Sequence, residues 1–321
     1  MSGNILFVDS FDHLNSAYSS SKWLGTHPTY IAGRTGNGVL GAGILAGFDL
    51  SGTVCEGFAY YVSILQGSAC WLGNAISGLT LIPYIAADGR MYVSTPWGST
   101  SPTIGPVISA GVWYYITLIA NHYGQYIDVT LKLNGQTVIS ETIDMHRTLS
   151  EEGFSYIRTA SPGGGGYSII DDLYVTDGED LGDVRIFVIR PNAEGYILDW
   201  LPKNGGLHYL ETKDIVPDGV ASYIYTNTNN LQDMTHLEDI NYVGDIMGIQ
   251  ANFIAAKDEA GQASFRQCYR LNGADIVGKD CFPSLTAWKD FRDPYRINPV
   301  TGLDFTNSDI NAMQMGAKRL T

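Results

Sequence analysis

The sequence predicts an all-β protein built as two β-sandwich or jelly-roll-type domains. Three observations carry this. The 321 residues include 37 Gly and 20 Tyr with only 16% charged side chains, a composition that suits many short strands joined by turns. Apolar positions recur with period two: in "YIDVTLKLNGQTVISETI", Ile127, Val129, Leu131 and Leu133 share one face while Asp128, Thr130, Lys132 and Asn134 share the other. That alternation implies one buried and one wet face. The pairs Asp88-Gly89, Asn134-Gly135 and Asn272-Gly273 punctuate such runs, and these residues tolerate the positive φ of hairpin turns.

A chain of 35.0 kDa exceeds what one small core organises and suggests two domains. Residues 1–177 hold 13 acids and 6 bases, and residues 178–321 hold 20 and 13. Each part nets −7, but the second is far denser in charge. The junction is therefore placed at Gly178 to Asp183, with a jelly-roll domain over 1–177 and a second mainly-β domain over 184–321. In the second domain "DVRIFVIRP", "ASYIYT" and "DIMGIQANFIAA" read as strands. Near the end, "TNSDINAMQMGAK" reads as a short helical turn with Ser308 as N-cap, stopped by Gly316.

Charge excludes some partners. A net charge of −14 and a pI of 4.7 oppose a polyanion, so no nucleic-acid partner is expected. Residues 57–87 carry no charge, yet Gln66, Asn74 and Pro83 interrupt them. They read as strands and turns rather than a membrane helix, and no membrane partner is expected. "MSGNILFVDSF" has no basic start and meets Asp9 early, so a non-secreted chain beginning near Met1 is expected. Cys55 and Cys70 in one half, Cys268 and Cys281 in the other, allow one bridge each, but free thiols are the expectation for a chain without an export signal.

The motifs that carry chemistry are weak. "GNGVLG" satisfies GxGxxG at Gly36, Gly38 and Gly41, but lacks the βαβ frame of a dinucleotide site and reads as a turn and a close-packed strand. The six His are far apart, and no GxSxG elbow occurs. Trp71, Tyr84, Tyr92 and Trp97 lie in the weakly charged half, where exposed rings could stack on sugar faces. Trp97, in the turn-rich "STPWGSTSP", is the candidate ligand residue, while Trp113 is expected to pack within the sandwich.

Asp171 and Asp172 are adjacent inside the strand-like "SIIDDLYVTD". Neighbouring strand residues point to opposite faces, so the pair cannot line one cleft unless a bulge intervenes. If the first and last strands lie side by side, Asp172 or Asp171 turns off the strand face to join Asp12, or Asp9, in one acidic corner. Asp12, Asp171 and Asp172 could then hold a structural Ca²⁺, a hard cation suited to carboxylates. The alternative is capping of backbone N–H groups at a domain edge, which is the favoured expectation.

The first 177 residues resemble a concanavalin A-like or laminin G-like jelly roll, through "DSFDHL", "WYYITLIANHYGQYIDVTLKLNGQTV" and "SIIDDLYVTD". The glycosidase branch of that fold implies an ExDxE carboxylate cluster, which is missing; no catalytic residue and no enzymatic activity are therefore expected. The segments "DDLYVTDGEDLGDVRIFVIRP" and "YRINPVTGLDFTNSDINAMQMGAKRL" resemble parts of tailed-bacteriophage virion proteins. That resemblance implies a structural protein on the exterior of the virion, either a capsid decoration or a tail or fibre attachment module. Its implied partners are other virion proteins in a homo-oligomeric or multi-copy assembly, and a host-surface glycan. The alternative reading is a lectin-like carbohydrate-binding module or receptor-binding adhesin.

Overall fold

A computed structural model describes residues 4–12, 23–24, 29–40, 44–45, 52–65, 67–68, 70–73, 80–94, 103–144, 156–159, 167–214, 217–285 and 287–321. The chain is all-β and divides into two compact units, Met1–Ile186 and Phe187–Thr321.

The first unit is a sandwich of two antiparallel sheets. One sheet has eight strands in the order Gln136–Asp144, Tyr126–Leu133, Trp113–Tyr123, Thr53–Val62, Ser168–Thr176, Asn37–Leu40, Thr29–Ala32, with Ile5–Asp9 also paired to Ser168–Thr176. The first and last long strands of the unit are thus neighbours, as the acidic-corner expectation required. The other sheet has seven, with the hairpin Thr80–Ile85 and Met91–Ser94 at one end. Local sequence explains the hairpins. Asn134 and Gly135 have φ of +49° and +79°, and Asn272 and Gly273 +51° and +80°, the doubly left-handed turn that matches strand twist. The period-two pattern holds at Ile127, Val129 and Leu131, all buried.

The core fills the space between the sheets. Phe58, Ile116, Leu118, Leu131, Leu81, Ile85, Met91 and Val93 are buried, each contributing about 1.5–3 kcal/mol of hydrophobic stabilisation. Glu56 breaks the pattern. It pairs in register with Leu118 on one side and Val175 on the other, is completely buried, and has neither carboxylate oxygen hydrogen-bonded. Burial pushes its pKa up to about 8.

The opposite, outer face of the eight-stranded sheet is crossed by residues 178–186. Lys132 Nζ meets Asp180 Oδ2 at 2.7 Å, the Tyr174 hydroxyl donates to Asp180 Oδ1 at 3.0 Å, and Leu181 N–H donates to the same hydroxyl at 3.1 Å. Burial opposes ionisation of Asp180, but the Lys132 ammonium holds its pKa below the ordinary value. The Tyr174 ring lies on Gly57, where any Cβ would collide with it.

The second unit is mainly β. A five-stranded sheet runs Pro191–Leu198, Gln232–Leu237, Gln314–Arg319, Phe265–Leu271, Ala274–Cys281, beside the two-stranded ribbons Leu201–Pro202 with Ile224–Tyr225 and Ile249–Ala255 with Lys289–Tyr295. Leu237, Tyr269, Leu271, Phe305, Ile310 and Met313 form its core. Two expectations are corrected here. "DVRIFVIRP" is no strand: the strand begins only at Pro191, and upstream the N–H groups of Ile186 and Arg190 are taken by the side chains of Asp172 and Glu238 rather than by a strand ladder. The helix Asn307–Asn311 is capped by Thr306, not Ser308, in a reciprocal box with Asp309. Cys55, Cys268 and Cys281 are free thiols.

Candidate functional site

The acidic corner forms because a bulge does intervene. Register between Ser168–Thr176 and Thr53–Val62 shifts between Asp171 and Tyr174, and Asp172 adopts φ +50°. With the bulge in place both carboxylates reach the turn at residues 33–37. Asp171 Oδ2 accepts from the N–H of Arg34 at 2.7 Å and of Thr35 at 2.9 Å. Asp172 Oδ1 accepts from Thr35 Oγ1 at 3.3 Å and from Ile186 N–H at 2.9 Å. Asp12, three residues past the N-terminal strand, grips the same turn, Oδ1 accepting from Asn37 N–H at 2.6 Å. Asp9 accepts from Phe11 N–H at 2.7 Å, and its charge adds to the rise of the Asp12 pKa.

Charge inside the corner is compensated. Arg34 reaches both oxygens of Asp183, at 2.7 and 2.9 Å, and lies 3.9 Å from Asp172 Oδ2. Arg185 lies 3.8 Å from the same oxygen and 2.9 Å from Asp183. Burial pushes Asp171 up to about 7, with the Thr35 N–H bond pulling the other way, and raises Asp172 and Asp12 as well. Two guanidinium groups stand beside Asp172, whose Oδ2 is buried without a hydrogen bond, while Asp171 serves backbone donors through both oxygens. Among the described residues no group of three or more His, Cys, Asp or Glu is disposed to hold a metal ion. The corner ties strand ends together.

Trp97, the ligand candidate, lies outside the described residues. A different set of aromatic rings occupies the open part of the outer sheet face. Trp113 and Tyr61 are cross-strand partners with ring centroids 5.5 Å apart, and Tyr61 lies 6.2 Å from Tyr167. Tyr167 is 41% exposed, and Trp113 and Tyr61 are only partly covered. The expectation that Trp113 packs inside the sandwich is corrected: the inner-facing residue of its strand is the next in alternation, where Ile116 and Leu118 continue the core. Tyr61 escaped the sequence reading because it sits in an apolar strand context, and Tyr167 because it stands between a glycine run and the strand Ser168–Thr176; each becomes part of a surface row only through register. Their signal was the alternation itself, since Tyr60 is buried and Tyr61 is not.

No protein-family model and no curated protein sequence matches the chain. Solved structures do. Domain 4 of AbnA, a GH43 extracellular arabinanase from Geobacillus stearothermophilus, is similar over 56% of this chain and 94% of its own, at 15% identity and a TM-score of 0.40. The carbohydrate-binding module CBM66 from Bacillus subtilis is similar over 48% and 95%, at 10% identity and 0.32. SCLam, a non-specific endo-β-1,3(4)-glucanase of family GH16, is similar over 56% and 92%, at 10% identity and 0.38. One expectation is corrected by this set. Glycan-cleaving enzymes stand among the similar structures, so the absence of ExDxE, which rules out one carboxylate arrangement, does not make the chain a non-enzyme.

Proposed function

We propose that the first unit binds carbohydrate on the outer face of its eight-stranded sheet. The observation that carries this is the row Trp113, Tyr61 and Tyr167, with rings 5.5 and 6.2 Å apart on a solvent-facing part of a rigid sheet. Sugar rings present flat C–H faces that stack on aromatic rings, and rings fixed by strand pairing are pre-ordered for that contact. A glycan array probed with the full chain tests it. Reproducible binding that Trp113→Ala and Tyr61→Ala each weaken at least tenfold supports the reading, and equal binding by wild type and both variants refutes it.

A second reading concerns where the protein works. The junction and terminal segments resemble tailed-phage virion proteins, and we propose an exterior, multi-copy position on such a particle beside other virion proteins. The supporting observation is on the second unit, where Phe187, Val220, Val243, Phe282 and Leu303 are each at least 60% exposed, apolar side chains open to a neighbouring protein. Quantitative mass spectrometry of purified particles with antibody-labelled electron microscopy tests it: absence of the chain from particles refutes this position.

A further inference from the structure

The aromatic row has a polar wall along one side. In register, Trp113, Tyr61 and Ile169 form one row across the sheet, and Tyr115, Ala59 and Asp171 form the next on the same face, about 7 Å along the strands. That second row is buried. Arg34 lies over the Tyr115 ring at 5.5 Å, fixed by its two bonds to Asp183. From there residues 178–186 run over the Tyr174 row, anchored at Asp172, Tyr174 and Lys132, while Tyr123, Tyr126 and Asp128 farther along the same face stay exposed. The open strip at Trp113 and Tyr61 is therefore bounded on one side by the linked group Arg34, Asp183 and Arg185 over the buried row. Within this wall the side chains of Asp183 and Arg185 remain 46% and 32% exposed.

We propose that Asp183 and Arg185 determine specificity at this strip, hydrogen-bonding the edge hydroxyls of a neutral, unbranched oligosaccharide whose rings lie on Trp113, Tyr61 and Tyr167. This rests on the carbohydrate reading of the first unit. The wall leaves no room for a branch on its side. It carries both an acceptor and a donor, matching a hydroxyl's double role. It does not favour an acidic sugar: Arg34 and Arg185 are already shared among Asp172 and Asp183, and the whole chain carries −14.

The test uses the full chain on an array of neutral linear, neutral branched and uronate-bearing oligosaccharides one to six sugars long, followed by calorimetry on the strongest neutral linear probe. Expected are preference for neutral linear probes, affinity that rises to about three sugars, and an affinity loss of about tenfold in Asp183→Ala and in Arg185→Ala, from lost charge-assisted bonds. Asp183→Asn, which keeps the acceptor, loses less than Asp183→Ala, an ordering that simple loosening of the wall does not produce. Neutral binding that Trp113→Ala abolishes but both wall variants leave unchanged overturns the specificity role and leaves the carbohydrate reading standing. Preference for uronate-bearing or branched probes overturns the proposed ligand class. No wild-type binding to any probe overturns both.

Discussion

Single residues in this protein do work that their types alone do not announce. Asp171 and Asp172 are read from the sequence as adjacent acids in a strand, but the positive φ of Asp172 that turns both toward one loop has no sequence signature comparable to an Asn-Gly pair. Removing Asp172 leaves Arg34, only 14% exposed, beside an unfilled partner and frees Ile186 N–H. Asp172→Ala is expected to destabilise by about 2–4 kcal/mol in urea unfolding of the full chain. Glu56 gives a pH signature. Its folded pKa lies near 8 against the ordinary 4.5, so between these values the folded state binds more protons than the unfolded. Its contribution is complete below about pH 4.5 and is lost as pH rises through 8, a fall on the order of 5 kcal/mol. Glu56→Gln is expected to flatten the melting temperature over that window; an unchanged slope would show that Glu56 does not titrate there.

At the scale of elements, legibility followed local determinism. The three Gly-containing hairpins and the alternation of Ile127, Val129 and Leu131 could be read directly because turn chemistry and period two act over a few residues. "DVRIFVIRP" was misread as a strand: its apolar residues have strand propensity, but the partners of Ile186 and Arg190 are distant carboxylates that no local window contains. The aromatic row was hidden for the same reason, since Trp113 and Tyr61 meet only through pairing of strands over fifty residues apart. Residues 178–186 also act as an element. Gly57→Ala pushes the Tyr174 ring off the sheet and, with it, the hydroxyl that holds Asp180 and Leu181. A cost of about 1–3 kcal/mol is expected. Lys132→Ala removes a partly exposed pair and is expected to cost at most about 1 kcal/mol in the same denaturation assay.

For the whole molecule, two units with separate cores are expected to unfold as two transitions in calorimetry rather than one. A chain ending at Ile186 keeps the Asp180, Leu181 and Ile186 anchors; one ending at Asp177 loses them and is expected to melt several degrees lower. The central claim, that the outer face of the first unit is a sugar-binding surface, is tested most directly by NMR titration of the full chain with aromatic side chains isotopically labelled, using the strongest array ligand. Binding is expected to shift the ring resonances of Trp113, Tyr61 and Tyr167 together, while those of the buried Tyr60 and Tyr174 stay in place. Saturable binding that leaves all three surface rings unmoved would contradict the account.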